Sequence, residues 1–203
     1  MLQLKTLAVA LLLAAPIAAQ AADTDANWTL HVGAHVVDPK SDTGQLAGMN
    51  ASISKSTRPT FSVEYRFAPG WSAEVLAALP FKHDVRLNGT QAVSVKQLPP
   101  TIGVLYHFME GQAISPFVGA GINYTLFFDK KGRNALDGTH VSMQNSWGAA
   151  GHAGVDIRLN DRWLFTVDAR YMDIDTKVKV NGARVGTAHV DPWVYGLSFG
   201  YRL

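Results

Sequence analysis

Along most of this chain, apolar side chains occupy every second position. The closing stretch VDPWVYGLSFGYRL, residues 190–203, puts Trp193, Tyr195, Leu197, Phe199, Tyr201 and Leu203 on one parity, and Val194, Gly196, Ser198, Gly200 and Arg202 on the other. A period of two sends successive side chains to opposite faces of an extended strand, whereas one face of a helix recurs every 3.6 residues. The alternation returns near Trp28 to Val37, Arg58 to Phe67, Trp71 to Pro80, Leu98 to Phe108, Pro116 to Phe128, Ser146 to Leu159, Trp163 to Asp173 and Pro192 to Leu203. This predicts an all-β chain of eight strands, each close to the roughly 9–11 residues that a tilted strand needs to cross a bilayer. The connections alternate in length: Ala68-Pro69-Gly70, Met109 to Ile114 and Asn160-Asp161-Arg162 are short, and those at 38–57, 81–97, 129–145 and 174–191 are long. Short turns at one end and long loops at the other, with an even strand count, predict an eight-stranded antiparallel transmembrane β-barrel. Asn88-Gly89 and Asn181-Gly182 lie within long connections and favour two-residue hairpins that extend the barrel beyond the membrane. Pro99, Pro100, Pro116 and Pro192 fall at strand starts, where a missing backbone donor does little harm.

Extending the terminal parity assigns Leu30, Val32, Phe61, Val63, Val75, Ile102, Val104, Val118, Ile122, Ile157, Phe165 and Val167 to one face. Glu64, Arg66, Glu74, Asp156, Arg158, Asp168, Arg170 and Arg202 fall on the other. A charge aimed at lipid costs roughly 2–4 kcal/mol for Arg or Lys near the midplane, and less for carboxylates. Eight such charges would cost on the order of 10–25 kcal/mol, against a typical domain stability of about 5–15 kcal/mol, so they are expected inside. All five tryptophans take the outward parity: Trp28, Trp71 and Trp163 at the short-turn end, Trp147 and Trp193 at the long-loop end. Two interfacial girdles are the natural place for such amphipathic rings. The opposite arrangement, a secreted barrel with a greasy cavity, would crowd those rings into an interior scarcely wide enough for side chains.

Composition adds an address. Lys5, the apolar run from Leu7 to Ile17 and the small-residue site Ala19-Gln20-Ala21 form a secretory leader, giving a signal peptide at 1–21 and a barrel at 22–203. The chain has no cysteine, so neither disulfides nor thiol chemistry are expected. Its formal charge of +2, without a basic run interleaved by aromatics, argues against a nucleic-acid partner.

The runs WSAEVLAALPFKH (71–83), QLPPTIGVLYHF (97–108), SPFVGAGINYTLFFD (115–129), SWGAAGHAGVDIRLNDRW (146–163), YMDIDT (171–176) and DPWVYGLSFGYRL (191–203) closely resemble the outer membrane protein W family. The resemblance covers nearly the whole mature chain. It implies a barrel in the Gram-negative outer membrane, both termini periplasmic, that passes small hydrophobic molecules through a narrow lumen, with lateral exit into the bilayer as one route. The implied partners are outer-membrane lipids and lipopolysaccharide, small hydrophobic solutes and the barrel-assembly machinery. Leu76 matches an apolar constriction of the family, and Leu105, Phe117, Phe127 and Met172 share its inward parity as candidate apolar wall. Two departures stand out. Family chains usually end in Phe, favoured by the assembly signal, where this one ends in Leu203, and Asp168 and Arg170 interrupt a greasy channel near mid-barrel.

Glu64, Arg66, Glu74, Asp156, Arg158 and Arg202 are expected to meet near the short-turn end, as a gating plug or as barrel filling. His31, His35, His107 and His152 face inward and read as polar lining, since no zinc-ligand spacing is present; His83, His140 and His189 are expected in solvated loops. No nucleophile context such as Gly-x-Ser-x-Gly occurs, so no enzyme activity, metal or cofactor is expected. Lys130, Lys131 and Arg133, with Lys177, Lys179 and Arg184, are candidates for lipopolysaccharide phosphates, and Asp173 with Asp175 for a divalent cation. A second functional reading is a closed barrel with a surface-recognition or envelope-stability role and no transport.

Overall fold

The computed structural model describes residues 27–203, so the leader expected at 1–21 lies outside the described residues. Fifteen strands follow in order: β1 (Trp28–Asp38), β2 (Gln45–Leu46), β3 (Met49–Ile53), β4 (Ser56–Ala68), β5 (Trp71–Ala78), β6 (Phe81–Leu87), β7 (Thr90–Leu98), β8 (Thr101–His107), β9 (Ile114–Gly132), β10 (Val141–Met143), β11 (Ser146–Arg158), β12 (Trp163–Met172), β13 (Asp175–Val180), β14 (Ala183–His189) and β15 (Trp193–Arg202). Eight of them, β1, β4, β5, β8, β9, β11, β12 and β15, form an antiparallel barrel closed by the pairing of β1 with both β15 and β4. Closure leaves no edge in the part that faces lipid.

The long connections are themselves strands. β2, β3, β6, β7, β13 and β14 pair with one another and carry the wall beyond the barrel, and β7 also pairs with the far half of β9. Asn88 (φ 45°) with Gly89 (φ 84°), and Asn181 (φ 48°) with Gly182 (φ 85°), adopt the left-handed pair of a type I′ turn, as expected of Asn-Gly. A third hairpin turns on Ala47 (φ 52°) and Gly48 (φ 76°) without that dipeptide. Two expected strands are shorter than read: β5 stops at Ala78 ahead of Pro80, and β8 starts only after Pro99-Pro100. In each case proline withholds the backbone donor that would continue the ladder.

Each tryptophan sits outside against a cross-strand tyrosine. Trp28 meets Tyr65 at 4.6 Å between ring centroids, Trp71 meets Tyr106 at 5.0 Å and Trp163 meets Tyr201 at 4.9 Å, forming the girdle at the short-turn end. Tyr124 with Trp147 (4.3 Å) and Tyr171 with Trp193 (5.5 Å) form the other. Eight residue steps separate Trp163 from Tyr171 on β12, about 26 Å along the strand and roughly 20 Å along the barrel axis after tilt.

Beyond the second girdle the chain inverts its faces. Along β12 the outward side carries Trp163, Phe165, Val167 and Tyr171 and the inward side Thr166, Asp168 and Arg170; the following outward positions are Asp173, Asp175, Lys177 and Lys179, while Met172, Ile174, Thr176 and Val178 are buried inside. On β6, Phe81, His83 and Val85 are buried, while Lys82 and Arg86 are exposed. Lipid dictates the outward side within the girdles, and water dictates it above them.

Candidate functional site

The inversion divides the lumen into two stacked compartments. Below the long-loop girdle the inward side chains are mostly polar or ionic, with Leu105, Phe117 and Leu164 among them, and glycine on the facing strands makes the room. A Cβ on Gly196 would lie 2.0 Å from His35 Nε2, and one on Gly154 would lie 2.5 Å from Phe117 Cζ. This explains why Gly alternates with bulky outward residues in β15.

At the short-turn end, Glu64 of β4 lies between His31 Nε2 of β1 at 3.3 Å and His107 Nε2 of β8 at 2.9 Å. The other ring nitrogen of His107 is 3.3 Å from Asp156 of β11, whose second oxygen accepts a 2.6 Å hydrogen bond from Thr166. At mid-barrel, Arg170 of β12 donates from both terminal nitrogens to Glu74 of β5 at 2.9 and 3.0 Å, and from Nε to Asp168 at 3.1 Å. Asp168 also meets His35 Nε2 at 3.2 Å and His152 Nε2 at 3.1 Å, and Thr60 lies 2.6 Å from His35 Nδ1. Planar guanidinium and carboxylate make such a bidentate pair both strong and directional.

The four buried carboxylates face one buried guanidinium. Glu74 and Asp168 share that guanidinium, whereas Glu64 and Asp156 have only the imidazoles of His31 and His107 as basic partners. The histidines are thus members of the ionic network and not simple lining. Two cavities of about 20 Å³ remain among these groups, one around His35, Glu74 and Asp168 and one around His31, Glu64 and Arg202. Each has room for about one water molecule and none for a solute.

Several residues expected in this network lie apart from it. Arg66 pairs with Glu110 of the β8–β9 turn at 2.6 Å, Arg158 is exposed at the short-turn rim, and Arg202 points inward with a buried Nε that has no hydrogen-bond partner. The five expected apolar wall residues are all buried but do not form one path. Leu76, Phe127 and Met172 belong to the apolar cluster at the long-loop end, whereas Leu105 and Phe117 sit among the ionic groups, with the Phe117 ring 5.2 Å from that of His107 and 4.8 Å from that of His152.

The upper compartment is apolar. Leu76, Phe81, Val85, Val95, Phe127, Met143, Met172, Ile174, Val178 and Val194 pack there in one buried apolar cluster. Beside it the wall has a seam. The β5–β8 ladder ends at the pair Leu76 and Thr101, the β6–β7 ladder begins at Phe81 and Gln97, and no ladder pair joins residues 77–80 to 98–100. Pro80, Pro99 and Pro100 have no N–H to offer, and the neighbouring backbone groups bond to the flanking strands instead: Leu79 N donates to Pro59 O of β4, and Pro100 O accepts from Tyr124 N of β9, both at 3.0 Å. Leu76 stands at the foot of this seam.

At the rim, Asp175 pairs with His189 and Asp191 pairs with Lys40 at 2.6 Å, which raises the lysine pKa. The Asp175, His189 and Asp191 ligand atoms lie within 4.8 Å of one another, whereas Asp173 is not in that group. Asp129 is held below the usual carboxylate range by Lys96 and Lys131, so Lys131 is occupied within its own loop; Lys130 Nζ donates to Phe127 O, and its pKa falls through burial. Lys177, Lys179 and Arg184 stay exposed, with Lys179 directly opposite Arg184. His83, expected in a solvated loop, is 1 % exposed because β6 turns it inward, and burial lowers its pKa.

The OmpW family model matches residues 25–203. Outer membrane protein W of Escherichia coli (strain K12) is 36% identical over 184 residues, covering 85% of this chain and 86% of that protein. The crystal structure of the outer membrane protein OprG from Pseudomonas aeruginosa superposes with a TM-score of 0.75 at 36% identity, covering 86% of this chain and 94% of that one. The solution structure of the E. coli Outer Membrane Protein W gives a TM-score of 0.62 at 35% identity, with 87% and 97% covered.

Proposed function

The chain belongs to the OmpW family of outer-membrane β-barrels, and from that premise we propose that it admits small hydrophobic molecules from the long-loop side and releases them sideways into the membrane. The long-loop end then faces outward and both termini face the periplasm. The observation that carries this reading is the stacking of an apolar compartment on an ionic floor. A solute that reaches Leu76 meets the Arg170–Glu74–Asp168 cluster below it, where apolar surface gains nothing and buried ionic pairs would have to be broken. The seam between residues 77–80 and 98–100 lies beside it and needs no ladder hydrogen bonds broken to widen. Lipid surrounds the outer face there, with Val75, Leu79 and Ile102 exposed. Exposed Lys177, Lys179 and Arg184 suit the phosphates of lipopolysaccharide above the girdle.

A cysteine-free chain makes the test clean. The double variant Ala78→Cys/Pro99→Cys is oxidised to close the seam, and naphthalene uptake is followed by fluorescence in vesicles whose outer leaflet contains lipopolysaccharide. Uptake falls to that of protein-free vesicles on oxidation and returns on reduction. The control Val75→Cys/Ile102→Cys, across a continuous ladder, leaves it unchanged. The tight packing of the lumen favours a second reading, a closed barrel with a surface or structural role. That reading prevails if the unmodified protein takes up naphthalene no faster than protein-free vesicles.

A further inference from the structure

Two side-chain nitrogens on the inner face of the β6–β7 hairpin have no hydrogen-bond partner. His83 of β6 is 1 % exposed and Gln97 of β7 is 2 % exposed, and His83 Nε2 and Gln97 Nε2 each lack a hydrogen-bond partner. Both residues lie on the buried face. Gln97 is in register with Phe81 on one side and Phe127 on the other, and His83 is in register with Val95, one alternation away from Gln97. Their chemical characters are opposite. His83 Nδ1 lies 2.6 Å from the carbonyl oxygen of Ser54, which can only accept, so Nδ1 carries the proton and Nε2 presents a lone pair. Burial lowers the pKa of this ring, which keeps that lone pair free at neutral pH. Gln97 Nε2 is an amide donor. A buried polar group left unpaired costs about 1–3 kcal/mol, and the apolar lining supplies no partner for either one.

We propose that His83 and Gln97 form a polar hook within the apolar compartment that selects small amphipathic molecules carrying one hydroxyl group. The hydroxyl hydrogen goes to His83 Nε2 and its oxygen accepts from Gln97 Nε2, while the alkyl tail lies against Phe81, Phe127 and Met172. This rests on the transport reading, which it sharpens from hydrophobic solutes in general to alcohols over the corresponding hydrocarbons. A ketone engages only the Gln97 donor, and an alkane engages neither.

The test uses the full barrel in lipid nanodiscs with methyl-labelled methionine, titrated with 1-octanol, 2-octanone and n-octane and read at Met172 and Met143, which line the compartment. At equal membrane concentration, half-saturation for 1-octanol is expected about ten-fold below that for n-octane, with 2-octanone between, the ratio that one to two net hydrogen bonds provide. Gln97→Met removes the advantage of the ketone and part of that of the alcohol. His83→Phe brings the alcohol down to the ketone. If all three compounds saturate Met172 equally and both variants leave the ratios unchanged, the hook is wrong and the transport reading stands. If none of them moves Met172, the compartment does not admit solutes and both fall. Should a variant fail to insert, the ratios measured on the unmodified protein alone decide between the hook and its absence.

Discussion

Arg170→Met is the sharpest probe of the ionic floor. Arg170 is 4 % exposed, and its guanidinium makes the two hydrogen bonds to Glu74, at 2.9 and 3.0 Å, and one to Asp168, at 3.1 Å. Methionine fills most of the same volume, so the perturbation is electrostatic and leaves little cavity. A unit pair at about 4 Å interacts with roughly 4 kcal/mol at an effective dielectric near 20, and two carboxylates lose that partner together. Much of this is offset in the native protein by the cost of burying the guanidinium, so the net loss falls in the range of about 3–5 kcal/mol measured when one member of a buried pair is removed. Urea titration in phospholipid vesicles, followed by tryptophan fluorescence at fixed pH, reads it directly. Adding Glu74→Gln to Arg170→Met removes one of the orphaned charges and is expected to restore about 1–3 kcal/mol. A single variant within about 1 kcal/mol of the parent, or a double variant that simply sums the two losses, would refute the claim that these charges hold one another in place.

The remaining predictions concern the two environments. Val118→Arg, on the lipid side between the girdles, is expected to cost about 2–4 kcal/mol in the same titration, whereas Asp173→Arg above the girdle is near neutral. Equal costs would contradict the inversion of faces. The pKa of His83 is depressed below its ordinary value of 6.5, so above 6.5 the folded and unfolded forms are both neutral there and the outer hairpin has its full stability. As pH falls from that value through the folded pKa, the unfolded ring takes up a proton first and stability is lost. Protection factors of the β6–β7 amides, which correct for the slowing of intrinsic exchange in acid, should therefore fall on acidification in the parent more than in His83→Phe, and identical profiles would show that His83 is not buried as a neutral ring.

Within the girdles, the sequence pattern was enough to place the structure, because lipid enforces it. One misplaced charge costs kilocalories, so parity alone separated Val75 and Val167 from Glu74 and Asp168, and the Asn-Gly turns were legible from the backbone conformation they need. What the pattern concealed lies above the girdles. DTKVKV (175–180) and FKHDVRL (81–87) alternate as regularly as the spanning strands, with the apolar class on the inner side. The Asn-Gly turns announced these hairpins but not which of their sides is turned inward, so His83 was expected in solvent. Leu79-Pro80 compounds this, since inward residues are even-numbered through Leu76 and odd-numbered from Phe81. Partner choice inside the lumen was out of reach for another reason. Parity says that Glu64, Arg66 and Arg158 face inward but not at what height, and height decides that Glu64 meets histidines while Arg66 reaches Glu110.

The inversion also bears on what the upper compartment is for. A barrel needs grease only where its outer surface touches hydrocarbon, and above the girdles water bathes that surface. There β6, β7 and β13 gain nothing for membrane insertion from Phe81, Val85, Val95 or Val178, and hairpins polar on both faces would connect the strands equally well. The inward apolar face holds the loops as an ordered wall through burial, about 25 cal/mol per Å² removed from water. Yet that purpose is met by apolar residues alone, and it gives no reason to bury His83 and Gln97 with unsatisfied nitrogens among them. Stability of the loops therefore accounts for Phe81 and Val95. The two orphaned groups beside them work against that stability, and a polar atom arriving with a solute is what would offset them.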